Sequence, residues 1–261
     1  MAVTNFIQQI WSKKIQDDLE LKCKLVDNCL RDYEGDCKYA QSVKILGVGE
    51  PTIGNYDGTQ DISIEEMSDR SQVLTIDQAK YFAFYVDDID QAQSVPGLAE
   101  KYQAKAVHGL AVARDTYVAT LIQGAANKTP VEEMTEEGFK KAVDAAIVAL
   151  RERNFDEEGV IEITPAAYNL FKNHLITLST NNPELIRKGV VGVYDQFDVI
   201  MSNNLKTPGC VRGKKAIAFA GQINEVEALR AEKRFKDIVR GLDTFGAKVI
   251  DEARIQVLTT A

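Results

Sequence analysis

The chain has 261 residues, enough for one large domain or two small ones with a real core. Apolar residues make up 45% and charged residues 27%, the ordinary balance of a folded protein with a hydrated surface. With 39 acidic against 31 basic side chains the net charge is −8, the wrong sign for a chain that grips nucleic-acid phosphates along its length.

No stretch reaches the roughly 18 uninterrupted apolar residues of a membrane span. The opening "MAVTNFIQQIWSKKIQDDLE" lacks the apolar core of a secretion signal and carries no lipidation motif, so a cytosolic product is expected. Residues 5–30 read as an amphipathic helix, with Trp11, Ile15, Leu19, Val26 and Leu30 at steps of three, four or seven. Cys23, Cys29, Cys37 and Cys210 form no CxxC pair, and their spacing favours free thiols over a zinc site.

"SVKILGVGE" reads as a strand and leads into "PTIGNYDGTQD", which is turn chemistry. Gly47 to Gly54 hints at a dinucleotide loop, but no helix follows and the glycine spacing fails. "DISIEEM" and "SQVLTID" predict two further strands. "KYFAFYVD" follows, with Phe82, Phe84 and Val86 on one face and Tyr81, Ala83 and Tyr85 on the other; both faces are apolar enough to predict cover on both sides.

From Asp88 the period changes. Val95, Leu98, Tyr102, Ala106, Leu110, Ala113, Tyr117 and Leu121 predict one long helix that acts as a beam. Thr129, Pro130 and Glu132 read as a capping box for a second helix carrying Phe139, Val143, Ala146 and Leu150. "GVIEIT" is a short strand, "TPAAYNLFKN" a second Thr-Pro helix start, "NNPELIRKG" a loop, and "VVGVYDQFDVIMS" a hairpin or two strands. "KAIAFAG" adds a strand, and "GAKVIDEARIQVLTT" alternates like two closing strands. The fold class is α+β.

Candidate chemistry is sparse. Asp87, Asp88 and Asp90 mimic the acidic cluster of metal-dependent transferases; the competing reading is a helix cap, where carboxylates accept free backbone N–H groups. His108 sits mid-helix, and His174 is placed after a short helix; neither has an evident nucleophile partner. "RAEKRFKDIVR" (Arg230 to Arg240) reads as a solvated charged face, or as a contact between subunits. No catalytic, cofactor-binding or metal-binding residue is assigned.

The stretches "NFIQQIWSKKI", "LTIDQAKYFAFYVDDIDQAQ", "ITPAAYNLFKN" and "IVRGLDTFGAKVI", in that order, resemble the major capsid proteins of tailed bacteriophages, which have the Hong Kong 97-type fold. The resemblance implies an N-terminal arm over 1–40 and an extended hairpin loop with flanking strands over 41–87. A peripheral domain with the spine helix follows over 88–129, then an axial domain over 130–225, and 226–261 returns to the peripheral domain. It implies a structural protein without cofactor, assembling with itself into hexamers and pentamers of an icosahedral shell around double-stranded DNA. A portal at one vertex, a separate scaffolding protein and a decoration protein are the implied partners, with no membrane contact. The product is expected in the virion, assembled in the bacterial host cytoplasm. Asp87, Asp88 and Asp90 would then mark the junction of hairpin and spine helix. The segment Gly49 to Ala79 contains no lysine, so the covalent crosslinking of some family members is not expected. Rival readings are a nanocompartment shell of the same fold, a metal-dependent transferase using the three aspartates, and a tail or head-completion protein.

Overall fold

A computed structural model of the chain describes residues 23–33, 42–45, 71–87, 98–178, 192–230 and 236–260. Among these, eleven strands fall into three sheets. β1 (Ser42–Ile45) and β2 (Gln72–Thr75) form an antiparallel pair. β3 (Gln78–Asp87), β9 (Ile217–Arg230) and β10 (Lys236–Val249) form a long antiparallel ribbon in the order β3-β10-β9. The six-stranded sheet runs β4-β11-β8-β5-β7-β6, from β4 (Lys128–Val131), β5 (Gly159–Ile163), β6 (Val193–Tyr194), β7 (Phe197–Met201), β8 (Gly209–Gly213) and β11 (Ile255–Thr260).

Among the described residues, three helices cover these sheets. α1 (Leu98–Gln123) has 26 residues, about 39 Å at 1.5 Å per residue. It buries Val107, Leu110, Ala111, Val118, Ala119 and Ile122, at helical spacing along one side. α2 (Glu136–Arg151) buries Phe139, Val143, Ala146, Ile147 and Leu150. α3 (Pro165–Leu178) buries Ala167 and Phe171. Residues 88–97, where the sequence predicts the start of the long helix, lie outside the described residues, as does the loop 181–189.

β5 and β8 are buried at every position, because both faces of the six-stranded sheet are covered. Ile161, Ile163, Val211 and Leu258 face α2 and α3. Cys210, Ile255 and Val257 face the other way, into a core shared with α1, with residues 23–29 and with Phe219 and Phe245 of the ribbon. The β1-β2 pair packs separately, with Val43, Ile45 and Leu74 on Ala218 and Ala220. At that junction a Cβ on Gly246 would stand 2.1 Å from the Thr75 carbonyl oxygen, so only glycine lets β10 approach the end of β2 so closely.

The structure corrects four expectations. Thr129 and Pro130 do not start a helix. They lie in β4, whose parallel ladder to Val257–Thr260 claims their backbone, and α2 is capped instead by Thr135, which accepts from the Gly138 N–H at 3.1 Å. The amphipathic pattern of 5–30 does not extend as α-helix through Val26–Leu30: the chain there makes one 3-10 turn, Val26–Asn28, because its backbone bonds outward to other elements; residues 1–22 lie outside the described residues. β3 is not covered on both sides. Phe82 and Phe84 are part-buried, with Phe84 stacked on Tyr102 of α1 at 5.9 Å, whereas Tyr81 and Tyr85 stand 80% and 69% exposed. His174 lies inside α3, whose helical pattern continues past the Asn173 at which it was expected to end. The predicted strand "DISIEEM" lies outside the described residues.

Candidate functional site

Of the acidic run Asp87, Asp88 and Asp90, only the first lies among the described residues. Asp87 is the last residue of β3, in register with Lys236, while Asp88 and Asp90 lie outside the described residues. So do Gly47 to Gly54 and Cys37. His108 is exposed on α1, and His174 is part-buried on α3. Among the described residues no three His, Cys, Asp or Glu side chains are grouped to hold a metal, and no helix is long and apolar enough to cross a membrane. A shallow groove of about 440 Å³ runs between β4 and the start of α2, lined by Glu132, Glu133, Glu137 and Lys141. Its charges are solvated, with Glu137 paired to Lys141 at 2.6 Å. The charged stretch from Arg230 to Arg240 is divided between the end of β9 and the start of β10, antiparallel, with Asp237 opposite Arg230 and residues 231–235 outside the described set.

The structure instead concentrates its polar chemistry in the shared core, around a strap formed by residues 23–30. Two consecutive residues of α1 point to opposite neighbours. Arg114 donates from Nε to Asp243 of β10 at 2.9 Å, at the bulge between Leu242 and Asp243, and its guanidinium lies 5.6 Å from the Phe219 ring and 5.9 Å from the Phe245 ring. Asp115 turns to the strap and accepts from the backbone N–H groups of Lys24, Leu25 and Val26 at 3.0, 3.1 and 3.3 Å. Burial pushes the Asp115 carboxyl up, opposed by these donors and by Asn204.

Arg212 of β8 completes the site. It is fully buried and reaches Glu162 of β5 through Nε at 3.0 Å and a terminal nitrogen at 2.7 Å. It also donates to the carbonyls of Leu25 at 3.0 Å and Asn28 at 2.7 Å. Burial works against its charge, but Glu162 outweighs that and pushes the pKa up, so Arg212 stays protonated. Cys29, whose Sγ lies 3.7 Å from Arg212, is pushed up to about 11 by burial, and Cys23 to about 12. Cys210 is also pushed up by burial; these three thiols are free, buried and protonated. These groups fasten elements together.

The second feature is the open face of the ribbon. Tyr81 and Tyr85 of β3 lie opposite Leu242 and Ile238 of β10, so they share one face, and Leu242 is 40% exposed.

Sequence reasoning missed the buried network. Its signal was a lone charge in an apolar strand: Glu162 within "GVIEIT" and Arg212 within "GCVRG". A charge flanked by apolar residues on both sides of a buried strand requires a partner.

No protein-family model and no curated protein sequence matches the chain. Solved structures do. A chain of Mycobacterium phage Che8 superposes with a TM-score of 0.76 and 25% identity over 90% of each chain. The capsid structure of the cyanophage P-SCSP1u matches with a TM-score of 0.73 and 16% identity over 89% of this chain and 86% of that one. The virus-like particle from Pyrococcus furiosus matches with a TM-score of 0.60 and 13% identity over 97% and 99%. The chain has the Hong Kong 97-type fold, shared with these phage capsid and virus-like-particle structures.

Proposed function

We propose that this chain is the major capsid protein of a tailed phage, and that its copies assemble by themselves into the hexamers and pentamers of an icosahedral head enclosing double-stranded DNA. The observation that carries the reading is whole-chain likeness to phage capsid chains combined with a ribbon face left open in the single subunit. A shell subunit needs extended self-complementary surface, not a pocket, and closed symmetry multiplies weak contacts. In this reading residues 1–40 are the N-terminal arm, 41–87 the extended loop and its flanking strands, and 88–129 the peripheral domain with its spine helix. The axial domain spans 130–225, and 226–261 returns to the peripheral domain, with β11 lending a strand to the six-stranded sheet.

A separate scaffolding protein, a portal and a decoration protein are the proposed partners, and the virion, assembled in the host cytoplasm, the proposed location. The net charge of −8 suits a container for DNA, since an adhesive wall would hinder packaging and release. The absence of lysine between Gly49 and Ala79 supports a shell without covalent crosslinks through that loop. A boiled, reduced gel of mature particles then runs as monomer; a ladder would show crosslinking.

The test is electron microscopy of the expressed protein, alone and together with neighbouring phage genes. Closed shells of tens of nanometres are expected, and strictly monomeric protein in both preparations would overturn the reading. A second reading, a nanocompartment of the same fold, is favoured by the likeness to the Pyrococcus furiosus virus-like particle. Purified particles holding DNA support the phage head; a packaged enzyme supports the compartment.

A further inference from the structure

We propose that residues 23–30 form a latch: a strap that docks and releases as one unit and that, while docked, ties the ribbon to the six-stranded sheet. The strap has little regular structure of its own, one 3-10 turn closed by the Cys29 N–H on the Val26 carbonyl. Besides short-range bonds from Asn28 to the Leu25 and Lys24 carbonyls and from the Cys29 thiol to the Leu25 carbonyl, its bonds run to distant elements. Three N–H groups end on Asp115 of α1. Two carbonyls are taken by Arg212 of β8. Leu30 bridges β9, donating to the Ile217 carbonyl and accepting from the Phe219 N–H, both at 2.9 Å. The Lys24 ammonium reaches the Met201 carbonyl at the end of β7 at 3.2 Å. Thus one short segment bonds the spine helix, the ribbon and the sheet together.

The reason it acts as a unit is the cost of partial release. If only the residues near Lys24 lift, Asp115 keeps Asn204 at 3.4 Å as its sole partner while still walled in by the rest of the strap. A buried carboxylate stripped of three donors is strongly disfavoured. If only the Asn28 end lifts, Arg212 loses an acceptor while its guanidinium stays buried. Full release admits water to Asp115 and leaves Arg212 on Glu162, so the intermediate states are the expensive ones. Apolar contacts reinforce this, since Cys23, Leu25, Val26 and Cys29 all bury side chains in the shared core. With the strap out, the Leu30 bridge to β9 and the Arg212 bonds vanish together, and the ribbon loses that tie to the sheet. In a shell such a joint would let one chain settle into unlike positions; that use rests on the proposed function, whereas the latch itself does not.

Hydrogen exchange on the full-length protein tests it. The Leu25 amide reports on α1, and the Phe219 amide, on β9, is bonded to Leu30 at the other end of the strap. A latch gives both amides one common opening, faster than that of Ile161 in β5. Asp115→Ala is expected to speed exchange at both Leu25 and Phe219 at least about tenfold, leaving Ile161 within about threefold, and to expose Cys29 to alkylation in step. Leu30→Pro, which removes a donor from the opposite end, is expected to speed Leu25 as well; Cys29 already has the extended φ of −104° and ψ of 158° that precede proline readily. Acceleration confined to the mutated end would mean fraying, and equal acceleration of Ile161 would mean that the strap is simply core; either overturns the latch. Particle formation by the same variants is scored separately by microscopy. Loss of particles with concerted exchange intact bears on the shell function and not on the latch.

Discussion

The six-stranded sheet and the ribbon meet in one core, yet they are finished differently. In the sheet, β5 sends Ile161 and Ile163 into the core under α2 and α3, and β8 sends Val211 there and Cys210 into the core under α1 and the strap. In the ribbon, α1 lies against the Phe84 side of β3, and the opposite face leaves Tyr81, Tyr85 and Leu242 in water. Both regions are rich in apolar and aromatic side chains. What differs is the cover each finds within the chain: the sheet is covered on both faces, and the Tyr81, Tyr85 and Leu242 side of the ribbon is exposed. Substitutions therefore separate into those that unfold the chain and those that leave it folded but unable to associate.

The sharpest way to break that contrast is at the sheet. Arg212→Met strands Glu162 as a buried charge, and about 3 to 5 kcal/mol of unfolding free energy is expected to disappear. Adding Glu162→Leu should restore most of it; denaturant titration of both variants checks this, and an undiminished midpoint in the single variant would show that the pair is not buried in solution. Next comes Phe171→Ala, which empties the space against Phe139 and Tyr194 and should cost roughly 3 kcal/mol or more by the same measurement. A smaller step is Thr135→Ala, which removes the α2 cap and should cost about 1 kcal/mol; Thr129→Ala, which the sequence singled out as a cap, should not weaken α2. The smallest effect on the chain is expected at the ribbon. Tyr81→Ala and Tyr85→Ala should change the melting temperature by no more than other surface substitutions, within about 0.5 kcal/mol, while lowering the yield of assembled particles. Full assembly by the double variant would remove the open face from the association surface.

Much of the element order was legible in the residues. Steps of three and four marked α1 and α2, alternation and β-branched runs marked β1, β3, β5 and β9, and "VVGVYDQFDVIMS" read as a hairpin or two strands. The structure places Asp195 and Gln196 at φ of 49° and 72°, as a two-residue turn of the favoured twist requires. The Thr-Pro signal worked once and failed once. Thr164–Pro165 starts α3, where the next residues have no competing strand, but Thr129–Pro130 lies beside β11, and the parallel ladder there wins over local capping chemistry. The strap was misread for the same reason: Val26 and Leu30 have helical spacing, but Asp115 and Arg212 claim the backbone bonds that a helix would have used for itself.

The sequence by itself determined the composition class, the long beam helix, most strands and, through the order of its parts, the shell fold. These rest on local propensity and on apolar periodicity, which depend on neighbours close in the chain. Only the tertiary structure decided that Glu162 and Arg212 face each other, that Asp115 receives a strap 89 to 91 residues away, and that Tyr81, Tyr85 and Leu242 stand exposed on the ribbon. A charge in a strand announces a need for a partner but not which one. Whether an apolar face is covered depends on what lies across it, and no periodicity in the strand records that.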